Sequence, residues 1–145
     1  MTGVQTCALP ISHTMENEKF IRLEDFDIYQ LSMEIGEDVW HIVLQWNQFA
    51  KDTVGNQVVR SSDSIAANIA EGYGRFTYKE RKRFCYFSRG SLIETKSWCQ
   101  KALSRQLLSK ESHDKLLIKM SNLHKMLNSY IKKLKEKERN SKDEY

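Results

Sequence analysis

The sequence predicts an all-α fold, an antiparallel up-down-up-down four-helix bundle, from three observations. A single Pro and six Gly leave too little punctuation for a β-rich chain. Four segments carry apolar residues at helical spacing, and none alternates as a half-buried strand would. The connections between these segments are short, which sets consecutive helices side by side.

The first helical segment is expected from Asp25 to Ala50. Ile28, Ile35, Ile42 and Phe49 recur every seventh residue with Val39 and Trp46 beside them, the pattern of a bundle seam. Asp25 and Asp27 suit the positive end of that helix. "KDTVGNQ" reads as the first break, and Asp52 or Thr53 is positioned to cap a second helix that reaches Gly72. Val58, Ile65 and Ile69 mark its apolar face. Gly72 and Gly74 bracket Tyr73 as a stop or a kink, which leaves the continuity of the second and third helices open.

Thr77 and Glu80 in "TYKE" have capping-box spacing and start a third helix that runs to about Leu107. Phe84, Phe87, Ser91 and Trp98 lie near one of its faces, and Cys85, Leu92, Cys99 and Leu103 near another. Two apolar faces are expected of a helix with more than one packing neighbour. Ser109 or Ser112 can cap the fourth helix, where Leu116, Met120, Leu123, Leu127, Tyr130 and Leu134 form the cleanest seam of the chain. Beyond Leu134, "KEKERNSKDEY" is polar enough to fray. The bundle domain is therefore expected over residues 15–137 and a disordered polar tail over 138–145.

The opening "MTGVQTCALPI" resembles the conceptual translation of a sequencing-library adapter, without a break from Thr2 to Ile11. Residues 1–14 are accordingly expected to be a non-native leader, with Met15 as the start. Removing Cys7 with that leader leaves Cys85 and Cys99, which on one helix are separated by about 21 Å of rise, too far for a disulfide. Free thiols fit a reducing cytoplasm. No apolar run approaches the ~20 residues of a membrane span.

The net charge of +4 is unevenly placed: −6 over residues 15–40 and +10 over residues 41–145. Solvated helix faces are the simple explanation. A polyanion-binding surface, with the acidic first helix turned elsewhere or toward a neighbouring subunit, is the sharper one.

No reaction chemistry stands out, and the chain is expected to be non-enzymatic, with no catalytic residue, metal or cofactor. It contains no Glu-x-x-His of the ferritin-like type, and His41, His113 and His124 are scattered. Gly72-Tyr73-Gly74 lacks the third Gly and preceding strand of a dinucleotide site. Asn68 and Glu71, three residues apart on one helix surface, face either a ligand pocket or a buried structural network. The structural reading is preferred. It is a polar clasp of Arg60, Ser64, Asn68 and Glu71, with Glu94 opposite, because a buried carboxylate must be paired.

The stretch from Arg75 to Arg89 carries Arg75, Lys79, Arg81, Lys82, Arg83 and Arg89 against Glu80 alone, a net +5. Arg75, Lys79, Lys82, Arg83, Tyr86 and Arg89 are the candidate nucleic-acid-binding residues, the cations for phosphates and Tyr86 for stacking on an unpaired base. Phe84 and Phe87 are expected to point to the core. Lys132, Lys133, Lys135 and Lys137 add to the basic surface. The competing class is a protein-interaction scaffold with the acidic first helix as its docking surface.

"RSSDSIAANIAEGYGR", followed by "RGSLIET", resembles the bacterial four-helix-bundle proteins related to those encoded in intervening sequences of large-subunit ribosomal RNA genes. The matching positions are Arg60, Ser61, Ser64, Ile65, Asn68, Ile69, Ala70, Glu71, Gly72, Gly74 and Arg75, then Gly90, Ser91, Leu92 and Glu94. With "FDIYQLSMEI" the resemblance extends from Phe26 to Leu134. It implies a homo-oligomeric bundle, typically a pentameric ring, with no established catalytic activity. More distant relatives are retroelement accessory proteins that partner a reverse transcriptase and bind nucleic acid.

Overall fold

A computed structural model describes residues 21–143. The expected leader, the start at Met15, Cys7 and the last two residues of the tail lie outside the described residues. Among those described the protein is all-helical, with α1 at Asp27–Leu44, α2 at Asn56–Tyr73, α3 at Tyr78–Ser104 and α4 at Lys110–Asp143. A short 3-10 turn, Leu23–Asp25, precedes α1. No helix in this region is long and apolar enough to cross a membrane.

The first helix ends at Leu44 rather than Ala50, and the chain turns at Gln45–Asn47. Asn47 accepts a hydrogen bond from the Ala50 N–H (2.9 Å) and so opens the next helical run itself. A cap of this kind contributes about 1 kcal/mol. The helical turn Gln48–Ala50 passes through a π-helical stretch, Lys51–Gly55, directly into α2. "KDTVGNQ" is therefore helix, not a break. Asp52 accepts from Gln48 Nε2, and the Thr53 hydroxyl donates to the Phe49 carbonyl. Phe49, the last member of the expected seam, is 79 % exposed because the turn before it rotates the heptad pattern out of phase.

The other boundaries follow capping chemistry. Thr77 accepts from the Glu80 N–H (3.2 Å), so α2 and α3 are separate helices. Ser109 accepts from the Ser112 N–H (3.1 Å) at the start of α4. The third helix ends at Ser104, before the expected Leu107. There Gln106 takes the left-handed conformation (φ 59°), the Leu107 N–H bonds the Ala102 carbonyl and the Gln106 N–H bonds the Leu103 carbonyl. This is a Schellman closure built without the usual Gly.

The fourth helix continues to Asp143, through residues expected to fray or to form a disordered tail. Contacts with α3 extend into this stretch: an ion pair between Lys82 and Glu138, and Lys135 and Lys137 against Tyr86 and Tyr78. Tertiary packing thus outweighs polar composition here.

One apolar core joins the helices. It contains Ile28, Ile35, Val39 and Val43 of α1, Val58, Ile65 and Ile69 of α2, Leu92, Cys99 and Ala102 of α3, and Leu116, Met120, Leu123 and Leu127 of α4. A smaller cluster of Cys85, Ile131 and Leu134 closes the end near the α2–α3 turn. Ile131 is buried where Tyr130 was expected, and Tyr130 is half-buried against the edge of Phe26.

On α3 the buried line is Cys85, Ser88, Leu92, Thr95, Cys99 and Ala102. Phe87 is correspondingly not a core residue but 46 % exposed. The small residues of α2 allow close approach: a Cβ on Gly72 would lie 2.9 Å from the Phe84 Cβ.

Candidate nucleic-acid interface

The expected basic face is divided by the fold into two clusters. The first lies along the edge between α3 and α4. The Arg89 guanidinium sits 5.0 Å from the Tyr86 ring centroid, and Lys135 of α4 approaches the same ring at 5.8 Å. Just over two turns away on the same helix, Tyr78 has Arg81 at 6.0 Å and Lys137 at 5.7 Å. Each tyrosine therefore carries one cation from each helix, a two-rung arrangement. Such contacts stabilise by about 0.5–1 kcal/mol at exposed sites and fix the cations in place.

Arg89 also donates to Asn128 Oδ1 (3.1 Å). The Lys82 ammonium, hydrogen-bonded to Glu138, holds that carboxyl below its ordinary range. Lys82 is thus committed to a structural pair. Lys79 is exposed at the start of the same edge. Tyr86 is half-buried rather than fully presented.

The second cluster lies at the α2–α3 corner. Arg75 pairs with Glu71 (2.5 Å) and lies 4.9 Å from the Phe84 centroid. Arg83 lies 5.5 Å from the Phe87 centroid, and the two phenyl rings meet edge to face at 5.6 Å. Arg75 and Arg83 therefore stand apart from Tyr86, Arg89 and Lys135. Helical spacing alone sets Lys79, Lys82, Arg83 and Tyr86 on one face. Arg75 and Arg83 find Glu71 and Phe87 four residues away along the chain, whereas the Asn128 and Lys135 partners come from α4 and become visible only when the helices are assembled.

The expected clasp of Arg60, Ser64, Asn68, Glu71 and Glu94 does not form within the chain. Ser64 donates to the Arg60 carbonyl and Asn68 to the Ser64 carbonyl, both four residues back on α2. Glu71 and Glu94 are exposed. Buried hydroxyls take the clasp's place. Thr95 lies 3.0 Å from the Ser61 hydroxyl, and Ser88 donates to the Ile65 carbonyl (2.8 Å). Hydroxyls suit the site better than a carboxylate because they carry no charge to desolvate. The signal for them was the seven-residue spacing of Ser88 and Thr95 against the small face of α2.

Among the described residues no group of three or more His, Cys, Asp or Glu is disposed to hold a metal ion. His124, beside Lys96 at 3.3 Å, has its imidazole pushed down by burial and then by Lys96 and Arg89. Burial pushes the Cys85 thiol up to about 12 and the Cys99 thiol up to about 11.

Both thiols are raised above an ordinary value of 9.0, so the folded state holds its protons longer than the unfolded chain. This contribution to stability is present below about pH 9 and is lost as pH rises toward the folded values. With Cys7 replaced by Ser, the native protein is expected to react with a thiol reagent at pH 8 roughly 100-fold more slowly than the unfolded chain. Ellman kinetics with and without denaturant measure this. Equal rates would contradict it.

A sequence profile of the family described as 23S rRNA-intervening sequence protein matches residues 24–129. No curated protein matches the chain. Among solved structures, a protein of unknown function from the S23 ribosomal protein family of Bacteroides thetaiotaomicron is similar, with a TM-score of 0.65 and 19% identity. The match covers 72% of this chain and 98% of that one. At that identity the likeness speaks to fold alone.

Proposed function

The chain belongs to the 23S rRNA-intervening sequence protein family, and from that premise we propose that it is a non-enzymatic, homo-oligomeric bundle that binds single-stranded nucleic acid, RNA foremost. Its helices run up-down-up-down in antiparallel fashion. The pairs Lys82–Glu138, Arg89–Asn128 and Lys96–His124 support this, since the α4 partner falls in number as the α3 residue rises. The oligomer, pentameric by resemblance, repeats one binding edge around its axis. It acts in the cytoplasm as an accessory to an RNA-processing or reverse-transcriptase system.

The observation that carries the reading is the α3–α4 edge, where Arg89 and Lys135 flank Tyr86 and Arg81 and Lys137 flank Tyr78. Exposed Lys79, Lys132 and Lys133 extend it. Cations at fixed positions release counterions from a phosphate backbone, and the aromatic rings between them offer sequence-tolerant stacking. Neither element requires a specific base.

The test is fluorescence anisotropy with labelled single-stranded RNA at low and moderate salt. Binding is expected to weaken steeply with salt. The exposed pair Lys132→Glu/Lys135→Glu should weaken it at least about tenfold and reduce the salt slope by about 1.4, the share of two phosphate contacts. Circular dichroism checks that the helices remain. No binding at about 50 mM salt, or an affinity and slope unchanged in the variant, would sink the reading.

A further inference from the structure

The exposed surface of α1 and α2 contains an open groove of about 260 Å³, with Met33, Gly36 and Glu37 on one wall and Asp63, Ala67 and Ala70 on the other. Its walls are low because the residues are small. A Cβ on Gly36 would already lie 3.0 Å from Asp63 Oδ1. An apolar cavity of about 150 Å³ takes a benzene ring, so this groove has room for an aromatic side chain with its methylene. Along α1 its apolar wall continues through exposed Trp40 and Leu44, which share the face of Met33 at spacings of seven and four residues.

The groove is also acidic. Asp63 has no cationic partner among the described residues, and burial followed by the nearby Glu37 raises its carboxyl above the ordinary value. An occupant is therefore expected to bring one aromatic group and one cation.

The α2–α3 corner of the same chain offers both. Phe76 is 70 % exposed in the turn before α3, and Phe87, exposed on α3 itself, lies eleven residues further along, with Arg83 between them at spacings of seven and four. Arg83 lies on the Phe87 ring and has no carboxylate partner among the described residues. Arg75 next to Phe76 is already neutralised by Glu71, whereas Arg83 is not.

We propose that the Phe76–Arg83–Phe87 corner of one copy docks head to tail into the α1–α2 groove of a second copy, with Arg83 facing Glu37 and Asp63. This rests on the homo-oligomer reading above and identifies its interface. The two surfaces belong to different parts of the chain, so the contact is heterologous and an open assembly keeps one free surface of each kind, at its two ends, until it closes. The acidic first helix then faces a neighbouring subunit, and the α3–α4 edge stays outside the contact.

Light scattering on the full chain at micromolar concentration tests this with two variants. Phe76→Ser/Arg83→Glu removes the corner, and Asp63→Lys/Ala67→Arg blocks the groove. Each alone is expected to fall to monomer mass. Mixed in equal amounts, they should form a dimer, because one supplies an intact groove and the other an intact corner. Recovery on mixing also shows that both variants are folded. Either variant assembling like the parent, or a mixture that stays monomeric, overturns the proposal while leaving a parent oligomer standing. A monomeric parent would instead overturn the oligomer reading, and this interface with it.

Discussion

Leu127→Ala is expected to lower the free energy of unfolding by about 2–5 kcal/mol, the range for deleting a fully buried leucine side chain. Leu127 has no exposed surface and belongs to the apolar cluster that unites all four helices. The loss has two parts. The removed methine and two methyl groups forfeit their transfer from water, and the cavity left behind forfeits packing contacts. The neighbours on α4, Leu123 and Ile131, are themselves buried and anchored on the same helix face, so collapse into the cavity is limited. Urea denaturation at a fixed protein concentration measures the effect, since association would otherwise contribute to apparent stability. A lower midpoint with an unchanged slope is the expected signature. A loss under about 1 kcal/mol would mean that the core relaxes around the site.

Gly72→Ala is expected to destabilise by about 1–3 kcal/mol, against the usual trend for glycine in a helix. In a helix interior, alanine ordinarily gains about 0.5–1 kcal/mol over glycine by reducing backbone entropy in the unfolded chain. At Gly72 the new Cβ would stand 2.9 Å from the Phe84 Cβ and 3.3 Å from the Arg81 carbonyl. Neither neighbour is the far end of a flexible side chain, so α2 and α3 must separate. Gly90 is the control. It lies on the exposed surface of α3, and a Cβ there meets nothing within 4 Å. Gly90→Ala should therefore raise the melting temperature while Gly72→Ala lowers it. Two shifts of the same sign would refute the account of Gly72.

Much of the helical architecture is legible in the chain because its causes are local. Thr77 caps the helix it was expected to cap, and of the two candidates Ser109 and Ser112 it is Ser109 that caps the last, since each serves an N–H three residues ahead. Leu116, Met120, Leu123, Leu127 and Leu134 are all buried because their periodicity is undisturbed. The boundary at Asn47 was missed because Trp46 and Phe49 continue an apolar pattern that the turn silently interrupts. The Schellman closure at Gln106 was missed because no Gly marks it.

The candidate site was less legible. Tyr86 and Arg89 do meet, and helical spacing accounts for that. Lys82, however, is bound to Glu138, 56 positions away in sequence. Glu71 was assigned to a buried clasp because it sits among small residues, yet it faces solvent and pairs with Arg75. The polar groups that do cross between α2 and α3 are the hydroxyls of Ser88 and Thr95.

By itself, then, the sequence determined that this protein is helical, where its last two helices are capped, and which residues of the last helix turn inward. These follow from backbone hydrogen bonding and a 3.6-residue period, both properties of neighbours along the chain. Only the tertiary structure decided which cations share a tyrosine, which hydroxyls join two helices, and that the polar end of α4 stays helical. Those contacts depend on how far each helix slides and rotates against its neighbours, and that offset is set by close packing around Gly72 and the common core rather than by any local pattern.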